Sequence, residues 1–560
     1  MSAAWRLRAA VSREPRPLSR GKAGPRAWAS GRRCGAGKPS VPHAAPLRRL
    51  RRAQRPQRCL APRVLLFKSS AAPTGVPERA LKLFGTEKCG GNGLPTRRLS
   101  IEMRVAKPHA EKEETVSDLP MIAPSFASLL VPFAGCFTSP SFQTFSQLMA
   151  GWVLRVGRHT VTGVIQAAEA VDDKHYTSFH RFFRSARWTP DAVGLTLLRL
   201  VLRFVPKGGP VRMTLDDTLA RHTGKRISSA GMHLDPLLST RKQRFYHFGH
   251  VWVVLSVVVD VPLWNKRFAL PVLARLYRTE KLSKAHGLVH RKRTDLGAEL
   301  VGIAKQSVTN RKMVIIADAT YVNGSIIKPL PEGVDLVGRG RLDAALYASP
   351  DPPTQGQMGR PRVKGDRLDS PQQRTKGVRW KRLKLKISGR EATVRIQQFD
   401  ALWYKAARQR LLRFALIRDW PGHKQYDVLV TTNLTATAED MITTYCQRWP
   451  TEETFAWVKQ RLGFQDPQNR TEHAVHRTAP MALWAYSLIV LWYLKVGHRS
   501  RSSNLPSLPW YSAKKAPSFA DMLATLRRDS WRRRVLDLPS AHRRDRKSLL
   551  ALLDIVAYGH

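Results

Sequence analysis

The chain has 560 residues, with 95 Lys+Arg against 41 Asp+Glu and a formal net charge of +54. That balance excludes a metabolic enzyme with a neutral surface and asks for a polyanionic partner, nucleic acid being the commonest. A hydrophobic fraction of 43% is enough for a sizeable core, and the length implies two or more domains. Five cysteines, Cys34, Cys59, Cys89, Cys136 and Cys446, are scattered without a C-x-x-C pair. They indicate neither a disulfide framework nor a structural zinc site, and they fit a reducing, intracellular setting.

Residues 1–100 hold 23 Lys+Arg and three acidic residues, Glu14, Glu78 and Glu87. Rich in Arg, Pro, Gly and Ala and lacking a sustained period, residues 1–120 read as a disordered, Arg-rich leader. The same composition resembles an organellar transit peptide, and it also fits a non-native extension upstream of a start at Met103 or Met121. No apolar h-region marks a secretory signal.

Order is expected from residue 121. Phe142, Phe145, Leu148, Met149, Trp152 and Val153 recur at helical spacing, and a second stripe starts at Val161. Basic residues alternate with aromatics over Ser178–Trp188, and an apolar helix follows around Leu195–Val205. Residues 121–207 therefore read as a small helical domain, fitting either a DNA-binding module or an ordinary helical core. After Lys207-Gly-Gly-Pro210 the period changes to two. Val211–Asp217 reads as a strand ending in carboxylates, Val251–Val261 and Arg267–Tyr277 as further strands, Leu296–Val308 as a helix and Met313–Ala317 as a short strand ending at Asp318. This pattern, over residues 208–323, describes a mixed α/β sheet.

Residues 324–435 read as a β-rich insertion, with alternation at Lys381–Ile387, Thr393–Ile396, Leu411–Ile417 and Asp427–Thr432. Residues 436–500 complete the core. Within them, Thr478–Leu494 is uncharged over 17 residues, short for a membrane span and interrupted by Pro480, so a buried core helix is expected. Residues 501–560 read as a basic tail.

Asp217 and Asp318 each close a strand-like run. The third acidic position lies in Tyr445-Cys-Gln-Arg-Trp-Pro-Thr-Glu-Glu-Thr-Phe-Ala-Trp-Val-Lys459. At about 100° per residue, Tyr445, Arg448, Glu452 and Lys459 share one helical face, although Pro450 must kink or restart the helix. Three carboxylates without Cys or His partners suit hard cations such as Mg2+ or Mn2+. Two such ions can activate a water and stabilise the leaving oxygen in phosphodiester cleavage. Arg448 and Lys459 would grip the phosphate, with Tyr445 bonding to it or stacking on it.

The spacing Tyr445-x2-Arg448-x3-Glu452-x6-Lys459 resembles the signature of a large group of bacterial insertion-sequence DDE transposases. Asp217, followed by Thr218, resembles that family's first Asp motif, and Asp318 its second. The resemblance covers residues 121–500 and implies a ribonuclease-H-like catalytic core carrying a β-rich insertion, with a small helical domain in front. It further implies catalysis by Asp217, Asp318 and Glu452 with two Mg2+ or Mn2+ ions per site, and cut-and-paste transposition by cleavage and strand transfer. The implied partners are double-stranded DNA (terminal inverted repeats and target) and a second copy in a synaptic homodimer. The implied location is the bacterial cytoplasm, at the nucleoid, with no membrane attachment. Asp217 is preferred to Asp216 because it precedes Thr218, and Glu452 to Glu453 on spacing.

Gly359-Arg-Pro-Arg362 resembles a minor-groove hook, which would make Arg360 and Arg362 DNA contacts; a flexible basic loop reads equally well. Relatives hold a flipped base on an insertion aromatic, and Trp380, Trp403, Trp420 and Tyr426 lie in that region without one standing out. His247-x-x-His250 and His473-x-x-His476 read as plain polar positions. Two competing readings are a decayed or repurposed copy that binds DNA without cleaving it, and a basic coat protein of RNA or DNA.

Overall fold

The computed structural model describes residues 121–558, apart from 241, 353–358, 377–378, 388–389, 422–425, 501–513, 515 and 537–542. The leader expected over residues 1–120 lies outside the described residues. After short helical turns at Pro124–Ala127 and Val131–Cys136 come α1 (Ser139–Leu154), α2 (Val161–Ala167), α3 (Tyr176–Arg184) and α4 (Pro190–Leu202). Thr160 and Thr189 start α2 and α4 by accepting the N–H groups of Gly163 and Ala192, which would otherwise lack partners. The expected stripe of Phe145, Leu148, Met149 and Trp152 is fully buried. Helices α1 and α2 touch backbone to backbone, and a Cβ at Gly151 would collide with the Val164 carbonyl.

Among the described residues, twelve strands form one mixed sheet. Five of them build its centre: β1 (Val211–Arg221), β3 (Tyr246–Val261), β4 (Lys266–Tyr277), β5 (Met313–Ala317) and β6 (Val334–Arg339), with β2 (Gly231–Leu234) on the free end of β3. Their spatial order is β4-β3-β1-β5-β6. The β4–β3 and β3–β1 pairs are antiparallel, and β1–β5 and β5–β6 are parallel.

The stretch expected as one β-rich insertion is divided by this pairing. Its first strand, β6, belongs to the parallel centre beside β5. Only afterwards does the chain turn antiparallel, through β7 (Leu346–Tyr347), β8 (Arg367–Leu368), β9 (Lys381–Ile387), β10 (Arg390–Leu402), β11 (Leu411–Arg418) and β12 (Asp427–Thr431). These continue the same sheet outward from β6. A six-residue strand says nothing about a partner twenty residues earlier, so pairing overrode the compositional boundary.

Helices cover both faces of the centre. They are α5 (Arg293–Ser307), α6 (Ala438–Cys446), α7 (Pro450–Arg461) and α8 (Glu472–Lys495). A Cβ at Gly297 of α5 would press on Leu215, whereas Thr451 of α7 donates to the hydroxyl of Thr214 at 2.7 Å. Leu215 and Thr214 are neighbours in β1, so the pleat puts α5 and α7 on opposite faces. The uncharged run in α8 is buried, and Ser487 and Trp484 donate to the carbonyls of Pro271 and Val272 in β4. No helix among the described residues is long and apolar enough to cross a membrane.

Where a basic tail was expected, the chain forms α9 (Phe519–Leu536) and α10 (Arg543–Val556). Helix α9 buries Phe519, Met522, Leu523 and Leu526. Its Arg527 is also buried, donating to the carbonyls of Val153, Arg155 and Ala557, so it caps the C-terminal end of α1. Arginine-rich composition concealed this role: the apolar spacing of α9 is diluted by Arg527, Arg528 and Arg532–Arg534.

Candidate active site

Strand β1 does not end at its carboxylates. It runs on to Arg221, because Asp216 and Asp217 are paired to Val254 and Val253 of the long β3. Alternation then sends the two aspartates to opposite faces. Asp216 shares the face of Thr214 and α7, where its Oδ2 accepts from Arg448 Nη1 at 3.0 Å. The other arm of Arg448 donates to Glu452 Oε1 at 2.5 Å. Asp217 points with Leu215 towards α5 and accepts from Arg293 Nη1 at 2.7 Å. The sequence preference was for Asp217; the pair brought to Glu452 through Arg448 is Asp216.

Asp318 follows the last residue of β5, and its Oδ1 accepts the Thr320 N–H at 2.8 Å. The parallel register of β1 and β5 closes at Leu215 opposite Ala317. One step further on, Asp216, inside β1, and Asp318, just past the end of β5, therefore stand beside each other where the parallel pairing closes.

The signature Tyr445-x2-Arg448-x3-Glu452-x6-Lys459 is split between two helices. Tyr445 lies near the end of α6, Arg448 in the link, and Pro450 restarts the chain as the first residue of α7. Glu452 then falls in the first turn of α7, where the helix dipole favours a carboxylate. The Arg448 guanidinium lies 6.0 Å from the Tyr445 ring centroid.

Burial pushes the Asp216 carboxyl up to about 7, with Asp318 and Asp217 adding repulsion and Arg448 opposing it. Asp217 is raised by burial against the pull of Arg293. Burial works against the charge of Arg448, but Asp216 and Glu452 outweigh it and hold the guanidinium charged. Lys459 is lowered to about 8, first by burial and then by Arg221, while Asp235 and Asp217 pull the other way. Tyr445 is raised by burial.

Two neighbours escaped the sequence reading. Arg293 opens α5, 76 residues from Asp217 in the chain, and no local motif announces the pair. Tyr321 is fully buried, its hydroxyl has no hydrogen-bond partner among the described residues, and burial plus the negative field of Asp217 and Asp216 raises it well above 10. Its place three residues after Asp318 was the available signal.

The remaining candidates lie elsewhere. Arg360 and Arg362 are exposed on the link between β7 and β8, the strands farthest from β1 in the strand order. Trp380 stacks on Tyr426 with ring centroids 5.7 Å apart, Trp403 is buried, and Trp420 meets Tyr445 edge-on. His250 bonds His222 and the Ser228 carbonyl, and His476 bonds Arg278.

Among the described residues, no three His, Cys, Asp or Glu side chains stand together closely enough to hold a metal ion. The donor set nevertheless has the chemistry a hard cation takes: Asp216 and Asp318 are neighbouring carboxylates, and the repulsion that raises Asp216 is what a divalent charge would relieve.

Residues 132–406, just under half of the chain, match the sequence profile of a family described as DDE superfamily endonuclease. The matched segment contains Asp216, Asp217 and Asp318 and stops before Glu452. No curated protein matches the chain.

Proposed function

We propose that this chain is a DDE transposase that cleaves DNA at the ends of a mobile element and joins those ends to a target. One observation carries the reading. Asp216 and Asp318 stand side by side where the parallel pairing of β1 and β5 closes, and Arg448 ties Asp216 to Glu452 on α7. The order β4-β3-β1-β5-β6, antiparallel and then parallel, supports a ribonuclease-H-like core, and the similarity of residues 132–406 to an endonuclease family points the same way. The helices α1–α4 then form the domain in front of that core.

In this reading Asp216, Asp318 and Glu452 hold Mg2+ or Mn2+, and Asp217 is the paired neighbour that fixes α5 against β1 through Arg293. Cations held there would supply activation of a water or a 3′-hydroxyl and charge stabilisation at the leaving oxygen. Arg448, freed from the two carboxylates it bridges, is placed to grip the scissile phosphate with its fork of donors. Lys459, half-buried and reduced in basicity, supplies a second donor from α7. Substrates are the terminal inverted repeats of the element and target DNA, engaged by two copies in a synaptic complex.

The test is nicking of a supercoiled plasmid carrying the gene's flanking DNA, with Mg2+ or with EDTA. The wild-type protein nicks only with the metal. Glu452→Gln and Asp318→Asn bind the same plasmid and lose nicking by at least about a thousandfold. Unchanged nicking in either variant overturns the assignment. Binding without nicking under every condition, wild type included, replaces it with a protein that only binds DNA.

A further inference from the structure

A cleft of about 490 Å³ lies between the first helices and the segment joining α7 to α8, and its lining includes none of Asp216, Asp318 and Glu452. One wall holds Arg158, beside α2, and Arg184, at the end of α3; the other holds Arg470. All three are exposed, and none has a carboxylate within salt-bridge distance among the described residues, unlike Arg275, Arg278 and Arg413. The acidic side chain in the lining, Asp466, accepts the His159 N–H at 2.7 Å and keeps its negative charge, so three arginines face one carboxylate. The cleft therefore presents cationic donors in net excess over its one carboxylate.

The other lining groups narrow the ligand. Thr160, Thr162 and Gln468 offer hydroxyl and amide donors, whereas His180 is the one aromatic ring. A nucleobase needs a flat apolar face to stack on, and this lining has none large enough. Arginine forks with small polar donors suit phosphodiester oxygens. The first turn of α8 also lines the cleft through Thr471, whose side chain leaves the helix's first N–H groups uncapped, adding positive potential.

We propose that this cleft is a DNA-backbone clamp, gripping phosphates of the duplex that leads away from the cleavage centre. The proposal rests on the reading of the chain as a DNA-cleaving enzyme. It explains why the clamp is composite: Arg470 belongs to the segment that leaves α7, the helix of Glu452 and Lys459, and Arg158 and Arg184 belong to the preceding helical region. Backbone contacts carry no sequence information, so the clamp fixes register and leaves specificity to other groups.

The test is fluorescence anisotropy of the full chain with a short fluorescein-labelled duplex of random sequence, in EDTA and across a salt series, so that cleavage plays no part. Each phosphate contact contributes about 0.9 to the slope of log affinity against log salt. The triple variant Arg158→Gln, Arg184→Gln, Arg470→Gln is expected to lose about 2 to 3 units of slope, and its affinity is expected to fall roughly tenfold to a hundredfold near 0.15 M salt. The matching triple lysine variant keeps the slope, which separates lost charge from lost fold. A glutamine variant with wild-type slope overturns the clamp whether or not the wild type nicks plasmid. A wild type that does not bind the duplex overturns both the clamp and the reading beneath it.

Discussion

The two halves of the sheet are made of different sequence. In the central half, β3 reads Val251-Trp-Val-Val-Leu-Ser-Val-Val-Val259 and is buried on both faces. In the outer half, β9 reads Lys381-Arg-Leu-Lys-Leu-Lys-Ile387, with its charged residues exposed and Leu385 alone fully buried. A continuous β-branched run belongs under two layers of helix, whereas strict alternation belongs to a sheet with one wet face. The carboxylates sit at the edge of the first kind, where burial strengthens every charge interaction. The outer half gathers its own smaller core around Val394, Ile417, Met441 and Ile442, beneath α6.

The sharpest way to probe the central half is through its adjacent aspartates. Asp216→Asn is expected to lower plasmid nicking by at least about a thousandfold, roughly 4 kcal/mol of barrier, while Asp217→Asn lowers it far less and instead reduces thermal stability by leaving Arg293 unpaired. The reverse ranking in parallel nicking and melting assays would return the role to Asp217. Next in size, Leu255→Ala in β3 is expected to cost about 2 to 5 kcal/mol by denaturant titration, because a fully buried side chain leaves a cavity between two helical layers.

Acid separates the halves differently. His159 and His250 are each 2% exposed, and burial lowers them to about 4 and about 3, respectively. In the unfolded chain they take up a proton near 6.5, and in the folded chain only far lower. Their stabilising contribution is therefore complete above pH 6.5 and is lost as pH falls towards 4, on the order of 3 kcal/mol each. The outer strands carry no histidine among the described residues. Hydrogen exchange between pH 6.5 and 4.5 should open β1 and β3 ahead of β10 and β11; equal loss in both would refute that placement. At the small end, Lys384→Thr on β9 is expected to change stability by no more than about 0.5 kcal/mol.

Much of this was legible from local pattern. The strands at 211, 251, 267 and 313 follow from β-branched alternation, and the paired motifs at Asp216-Asp217, Asp318 and Glu452 follow from residue type and spacing. What escaped depends on distant partners. Which aspartate faces Glu452 is decided by the side on which α7 packs, and β1 carries no sign of that. Arg293 and Arg527 act through groups 76 and 374 positions away. The boundary of the outer half was misplaced because β6 is recognised as central only once its hydrogen bonds to β5 are seen.

The pairing of β6 with β12 has a consequence for anyone hoping to trim the protein. The outer strands are not an appendage that could be cut out to leave a smaller enzyme. Excising them would strip one edge of β6 of its neighbour and lay bare a row of unsatisfied N–H and C=O groups beside the site. The excised product would be a template for sticking to its own kind, so a trimmed version of this protein has to keep the strands that cover β6.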